Sequence, residues 1–578
     1  MGKENVFDYI VIGAGTAGGV IAKELTDKKS TSVLVLEAGT NMPNPSASFE
    51  TANAAANDNR LSFRALSNIE DALGRPLLLW SGRVIGGSSE HNFMYAVRGS
   101  RNLYNEWADL VGDQWSYEKV RTLFKKNETY TGNTQSPKER GTDGPIFVRQ
   151  QMIPSSGGII RTLAEAASEV LDIPIVKDYN TGVRDCTFLK SQFLQQPLKE
   201  GFARSSTRSG YLNENIVTQG NEFNPDEFGV GGRDLTIFAK STVNRILFEE
   251  KKGVQVAVGV EYVKNGVTER AYARKGVIIS AGIFSSVILQ RSGIGRTSDL
   301  ANAGISTLVE SPQVGHNFQT HYSVAMGVEV ETSRLLEVLA ADPDQPIAMG
   351  AFKKEEGPGR RLQLIGAPGP FFVPNADILS NNWQFNPENK TNVMSFGIID
   401  LNPSSRGTIL ATHSNPEAYP SIQFNPLENS ADLNYIVDKY IEMYNIIVQA
   451  REDDPKGVYK VVYPSEDIFQ CTDEDLKRSR LEQFARASYN NFAHFGGQCK
   501  MGTSIQDGVV DGCLNVFGTK NLKVADLSIA PILPDGNTST AAQMIGLNAA
   551  RFLKQETPYV IEKKELKEYS DEIESQEE

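Results

Sequence analysis

The chain has 578 residues, long enough for two domains or for one large domain with a second grafted onto it. Hydrophobic residues make up 40% and charged residues 22%, a balance that excludes a disordered or fibrous chain. A formal net charge of −13 argues against a nucleic-acid or anionic-membrane partner, since either needs a basic face.

The start, Met1-Gly2-Lys3-Glu4-Asn5-Val6, lacks the charged head, apolar middle and small-residue cleavage site of a signal peptide. Val6 stands where a myristoylation signal wants Ser or Thr, and no apolar run is long enough to cross a bilayer. The four cysteines (Cys186, Cys471, Cys499, Cys513) are too few and too scattered for a disulfide framework. The expectation is a soluble cytoplasmic protein with no membrane partner. The oligomeric state stays open.

The first forty residues read as β-α-β. Tyr9-Ile10-Val11-Ile12 is an apolar run, Gly18 to Leu25 carries small and apolar residues at helical spacing, and Ser32-Val33-Leu34-Val35-Leu36 is a second buried strand. Between them Gly13-Ala14-Gly15-Thr16-Ala17-Gly18 fits G-x-G-x-x-G. The first glycine makes the turn, the second lets backbone approach a pyrophosphate, and the third lets helix and strand pack closely. The pyrophosphate then meets free N–H groups at a helix N-terminus. Glu37 ends the second strand at the spacing of a ribose-binding carboxylate, which suits FAD or NAD and disfavours NADP.

Farther along, Asn213 to Arg233 is polar, Gly-rich and aperiodic, as in a surface insertion or flexible loop. Asp234 to Ser280 alternates strand-like runs with turns. Residues 326 to 490 are aromatic and β-branched, broken by Pro and Asn, with a helix-like stretch from Ala431 to Ala450; this suits an antiparallel sheet backed by helices. Glu562 to Glu578 is almost wholly polar and reads as a solvated or disordered tail.

A second glycine cluster separates flavin from nicotinamide. Gly82-Arg83-Val84-Ile85-Gly86-Gly87-Ser88-Ser89, followed by Asn92, Met94 and Arg98-Gly99, resembles the first signature of the glucose–methanol–choline (GMC) oxidoreductases. Further resemblances follow in order: Arg204 to Leu212; Ser280-Ala281-Gly282 with Ser292-Gly293-Ile294-Gly295; Val314 to His321; and Leu522 to Asp526 ahead of Gly536-Asn537-Thr538. Ser286 and Val287 replace the usual Ser-Pro, and Thr320 replaces a common Asp. The likeness runs from about residue 6 to 555.

The resemblance implies an α/β FAD-binding Rossmann-type domain plus an α+β substrate-binding domain with an antiparallel sheet, like that of p-hydroxybenzoate hydroxylase. It implies cofactor binding by residues 1–100, 203–325 and 500–556, substrate binding by 101–202 and 326–499, and a charged tail at 557–578. FAD would be held by Gly13, Ala14, Gly15, Thr16, Gly18, Glu37, Arg83, Gly86, Gly87, Ser88, His91, Asn92, Met94, Asn537 and Thr538. Val243 would contact the adenine end and Asp526 the ribityl and pyrophosphate. No metal is implied.

Oxidising an alcohol requires a base for the hydroxyl proton and an acceptor for the hydride, and flavin N5 supplies the acceptor. Of the five histidines (His91, His316, His321, His413, His494), His494 lies in Ala493-His494-Phe495-Gly496-Gly497-Gln498-Cys499-Lys500-Met501-Gly502. This resembles the family's His-x-x-Gly-Thr-Cys-x-Met-Gly, in which the histidine faces the flavin; Gln498 replaces the Thr. The partner position, His or Asn in the family, falls on Asn537. The expected catalytic pair is therefore His494 as base and Asn537 as hydrogen-bond donor, with His316, His321 and His413 structural or on the surface. The expected partners are a small-molecule alcohol and oxygen or another electron acceptor. Two alternatives share the fold: an FAD-containing lyase of the hydroxynitrile lyase type, and a packaging protein without turnover. Finally, Gly86-Gly87-Ser88-Ser89-Glu90-His91-Asn92 places a histidine where the family usually has an aliphatic residue. Choline oxidase and pyranose oxidase carry their flavin-linking histidine there, so the resemblance points to FAD attached through His91.

Overall fold

Strands with no polar alternation are stable only when both faces are covered, and the N-terminal runs fold in that way. β1 (Val6–Ile12) and β2 (Val33–Leu36) flank α1 (Gly18–Thr26), with Tyr9 to Ile12 and Val33 to Leu36 all buried. The computed structural model describes residues 5–183, 185–345, 347–355, 359–369, 372, 391–557, 559–562, 564–567 and 569–570.

Further along come α2 (Gly158–Leu171), β3 (Leu235–Phe238), β4 (Ser241–Lys251), β5 (Val254–Lys264), β6 (Val267–Ile279) and α3 (Ser285–Arg291). They are followed by β7 (Tyr322–Glu331), β8 (Gly350–Lys354), β9 (Arg361–Pro368), β10 (Thr391–Asp400) and α4 (Ser430–Asp453). The chain then forms β11 (Val458–Tyr463), α5 (Glu474–Ser488), β12 (Leu522–Val524) and α6 (Ser539–Gln555).

A nine-stranded sheet is built on the order β3-β2-β1-β6-β5-β4, with β12 also beside β6. β3, β2, β1, β6 and β12 pair in parallel, and Ile10 lies opposite both Leu34 and Val277. β4, β5 and β6 make an antiparallel arm. Parallel pairing brings the C-terminal ends of β1, β2, β6 and β12 to one edge, the place where open α/β sheets bind ligands.

A second sheet of seven strands runs β11-β7-β10-β9-β8 and on to Cys186–Phe188, with Asn490–Asn491 also beside β7. All its pairs are antiparallel. α4 packs on β7 and β10 and against α2 and α5. The α/β unit joined to an antiparallel sheet backed by helices is the fold expected from the sequence. Among the described residues no helix is long and apolar enough to cross a membrane.

Two stretches differ from expectation. Asn213 to Arg233 is no free loop: Val217 is buried, Glu227–Phe228 pairs antiparallel with β3, and Glu227 forms a buried ion pair with Arg208. A single carboxylate whose partner lies 19 positions back carries no periodic signal. The charged C-terminal stretch is likewise anchored. Ile561 and Leu566 are buried against Leu247, Val256, Val258 and Tyr272, and Tyr569 donates to the Phe248 carbonyl at 2.8 Å. Apolar residues spaced through a charged run bury one face and leave the charges outside. Residues 571–578 of that stretch lie outside the described residues.

Candidate active site

The turns that follow β1, β2, β6 and β12 line a cavity of about 780 Å³. It is lined by Gly13, Gly15, Thr16, Glu37, Arg83, Gly87, Ser88, His91, Asn92, Met94, Val243, Asp526, His494, Asn537 and Thr538, so most of the expected site residues face one space. Ala14, Gly18 and Gly86 stand behind the wall and shape it. A Cβ on Gly18 would lie 2.0 Å from the Gly13 carbonyl oxygen, which fixes how closely α1 approaches the turn. The two glycine loops touch each other: a Cβ on Gly87, whose φ is +57°, would lie 2.7 Å from Gly15 Cα.

Two buried carboxylates hold these turns. Glu37 Oε2 accepts from Ala14 N at 2.9 Å and Oε1 from Gly39 N at 2.8 Å. Asp526 Oδ2 accepts from Gly282 N at 2.8 Å and Ser285 Oγ at 2.6 Å, and Oδ1 from Ser528 N at 2.8 Å. Burial pushes both carboxyls up from their ordinary range, and these donors pull back toward the charged form. Both Glu37 oxygens and Asp526 Oδ1, each with one donor, keep acceptor capacity for a ligand hydroxyl.

The wall also carries polar atoms that the protein leaves without partners. His91 Nε2, Ser539 Oγ, and Nε and Nη1 of Arg291 are buried with no hydrogen bond inside the chain. Thr538 and Ser539 begin α6, and Thr16 and Ala17 lead into α1, so the N-terminal ends of two helices border the cavity. Unsatisfied N–H groups at helix starts favour anionic ligand groups. Glycine turns open to a pyrophosphate, a carboxylate at the end of β2 and orphaned donors along the wall fit FAD.

His321, which sequence reasoning left as structural, is brought to His494 by strand pairing. Tyr322 lies opposite Asn491, while Gln319 bridges to Gly496, so three steps on one strand face five on the other. The excess bulges out, with Ala493 at φ 56°, and turns His494 inward. His321 Nδ1 then lies 2.7 Å from His494 Nδ1. On the far side of His494, Nε2 lies 3.2 Å from Asn537 Nδ2, and Asn537 Oδ1 accepts from Gln363 Nε2 at 3.1 Å.

This chain of contacts is consistent in one direction. Gln363 occupies the Asn537 carbonyl, so the Asn537 amide N–H points at His494 and Nε2 there carries a lone pair. The His494 proton then sits on Nδ1 and is donated to His321. Burial holds His494 down at about 3 and His321 well below the usual histidine range, so both rings are neutral.

The remaining histidines divide as expected. His316 pairs with Asp299 at 2.8 Å, and His413 accepts from Asn415 N at 2.9 Å at an exposed position. Gln498 is buried and donates to the Gly282 carbonyl at 2.9 Å, bracing the His494 segment against the nucleotide turns. Gln363 and Arg291, like His321, were not singled out from sequence. Only His321 lies in one of the family-like segments, Val314 to His321.

Comparison with known proteins gives the family. The family models described as GMC oxidoreductase match residues 7–323 and 403–546. An oxygen-dependent choline dehydrogenase of Chromohalobacter salexigens is 30% identical over 587 residues, covering 96% of this chain and 96% of its own. A GMC-type oxidoreductase of Mycobacterium tuberculosis is 28% identical, with 95% and 99% covered. The crystal structure of pyridoxine 4-oxidase from Mesorbium loti superposes with a TM-score of 0.79 at 21% identity, over 95% of this chain and all of that one. A fungal aryl-alcohol oxidase does so at 0.73 and 20% identity, covering 96% and 99%. Likeness at these identities is likeness of fold.

Proposed function

The chain belongs to the GMC oxidoreductases, FAD-dependent enzymes acting on alcohols, and we propose that it oxidises a CH–OH group to a carbonyl with His494 as the base. The observation that carries this reading is the Gln363–Asn537–His494–His321 chain of contacts, which leaves a neutral Nε2 lone pair on the cavity wall. When a substrate hydroxyl takes the place of the Asn537 amide at Nε2, the neutral imidazole accepts its proton and the displaced Asn537 N–H donates to the same oxygen. As the proton arrives at Nε2, the proton on Nδ1 stays directed at His321, so the ring keeps its orientation.

FAD, when bound, supplies the hydride acceptor. Gly13, Gly15, Thr16 and Ser88 would border its pyrophosphate, Glu37 its ribose and Val243 its adenine. Arg83, Gly87, Asn92, Met94, Asp526 and Thr538 would complete the cradle. The same reading gives residues 1–100, 203–325 and 500–556 to the cofactor and 101–202 and 326–499 to the substrate. The choline dehydrogenase relatives are named oxygen-dependent, which supports oxygen as the final acceptor.

His91 is proposed as the point of covalent attachment to FAD. It follows the Gly87–Glu90 turn on the cavity wall, its Nε2 has no protein partner, and burial holds its pKa at about 4. A neutral, unpartnered imidazole nitrogen could bond a flavin methyl carbon; a C–H bond there would be lost, its proton leaving to solvent and two electrons passing through the flavin to oxygen, the acceptor proposed above. The test of the whole reading is to mix the yellow protein with alcohols under nitrogen and then admit air. Bleaching followed by recovery of the colour supports it, and colour unchanged by every alcohol opposes it.

A further inference from the structure

The end of the cavity at His494 has a chemical character that separates it from the nucleotide end. Its wall includes the inner face of an apolar cluster, from which Tyr95, Ile347, Ile365 and Phe492 line the cavity, with Ser323 and Asn491 beside them. Phe492 stands edge-to-face against His494, with ring centroids 5.2 Å apart, so the apolar surface reaches the reacting position itself.

Three carboxylates line the cavity among the described residues: Glu37, Asp526 and Glu417. Glu37 and Asp526 are tied to the backbone of the cofactor turns. Glu417 acts on Arg291, at the end of α3. Burial alone shifts the His494 ring, with no contribution from any of the three. Among the described residues, a fixed positive charge brought to His494 would therefore lose water with no anion in return, which is strongly unfavourable. Aromatic faces offset only a fraction of that loss. A polyol fares little better, since hydroxyls laid against Ile347, Ile365 and Phe492 would have no partners.

Building on the alcohol-oxidising reading of His494, we propose that this enzyme's substrate is a neutral alcohol with a single hydroxyl on an apolar body, aromatic or alkyl, and that fixed cations such as choline are rejected. Tyr95, Ile347, Ile365 and Phe492 are the residues that set this preference. The hydroxyl goes to His494 and Asn537, and the apolar body replaces water along the cluster.

The test is anaerobic reduction of the flavin-loaded enzyme by benzyl alcohol, 1-hexanol, choline and glucose, each followed over a range of concentrations. The second-order rate constant for benzyl alcohol or hexanol is expected to exceed those for choline and glucose by about a hundredfold or more. Faster reduction by choline or glucose would overturn the pocket assignment and leave the alcohol reading standing. No reduction by any alcohol, in protein that dithionite still bleaches, would overturn the alcohol reading and this proposal together. Ile365→Asp, which sets a carboxylate in the wall, should lower the constant for benzyl alcohol at least about tenfold and raise that for choline. The neutral Ile365→Asn should show the loss without the gain. If neither variant holds flavin, the wild-type panel still decides.

Discussion

His321 Nδ1 stands 2.7 Å from His494 Nδ1, with the two rings nearly perpendicular at 89°. One proton must lie between these nitrogens, and the Asn537 amide on the other side of His494 places it on His494. The pair thus sets which nitrogen of His494 faces the cavity without a proton. The two residues are 173 positions apart in sequence.

Removing that acceptor should therefore damage the reaction without touching substrate. His321→Ala is expected to lower the limiting rate of flavin reduction by about ten- to a hundredfold, the worth of one buried hydrogen bond to a group that becomes charged. The apparent Kd for alcohol should change little. His321→Asn retains a carbonyl acceptor and should recover part of the rate. Stopped-flow reduction over a range of alcohol concentrations separates the two quantities.

The acid limb of the reaction should lie unusually low. Burial holds His494 at about 3 against an ordinary 6.5, so the neutral base is present down to about pH 4. The limiting rate of flavin reduction is expected to be flat from about pH 5 to 8 as far as this group governs it. A sigmoidal loss centred near pH 6.5 would mean that the base is solvated or lies elsewhere.

The same burial makes a stability prediction. A histidine kept neutral in the folded state binds a proton on unfolding wherever the pH is below about 6.5. Its contribution is complete above that pH and declines as the pH falls toward the depressed folded value, by about 1.4 kcal/mol per unit. His321 is such a group. Urea unfolding of wild type and His321→Asn at pH 7 and pH 5 should show wild type losing more stability on acidification. Equal losses would place a charged His321 in the folded protein.

The sequence made the glycine turns, Glu37, His494 and Asn537 legible because their signals are local: a loop, a strand end and two short motifs. Ala14, Gly18 and Gly86 belong to those motifs, yet they shape the wall from behind. A linear pattern does not separate residues that face a ligand from residues that let others do so. His321 and Gln363 were harder to see. Their roles arise from the bulged pairing of 319–323 with 490–496 and from the placing of β9 beside Asn537, both long-range consequences of the second sheet. The packing of Ile561 and Leu566 was hidden for a related reason, since two apolar residues in a charged run carry little periodicity.

Covalent attachment has a direct chemical readout. Wild-type protein denatured in acid and centrifuged should keep its yellow colour in the pellet, with a tryptic peptide containing His91 heavier by one FAD. His91→Ala should remain yellow when native and release all of its flavin on denaturation. Flavin wholly in the wild-type supernatant would reduce His91 to a packing residue.

The contact between the two glycine loops offers a test of the cradle. Gly87→Ala forces a Cβ to within 2.7 Å of Gly15 Cα at a backbone angle that L residues disfavour. The loops must separate, and flavin content after purification is expected to fall severalfold. Unchanged flavin content and spectrum would show that the cofactor does not depend on that contact.

The central claim is that His494 takes the hydroxyl proton, and single-turnover flavin reduction of His494→Ala tests it most directly. With any alcohol that reduces the wild-type flavin, the variant is expected to be slower by roughly two to four orders of magnitude. Asn537→Ala, which removes a hydrogen bond to the substrate oxygen and one of two constraints on the His494 tautomer but leaves the base and His321, should lose less, about tenfold. Near-normal reduction in the His494→Ala variant, with its flavin bound and its spectrum intact, would contradict the account.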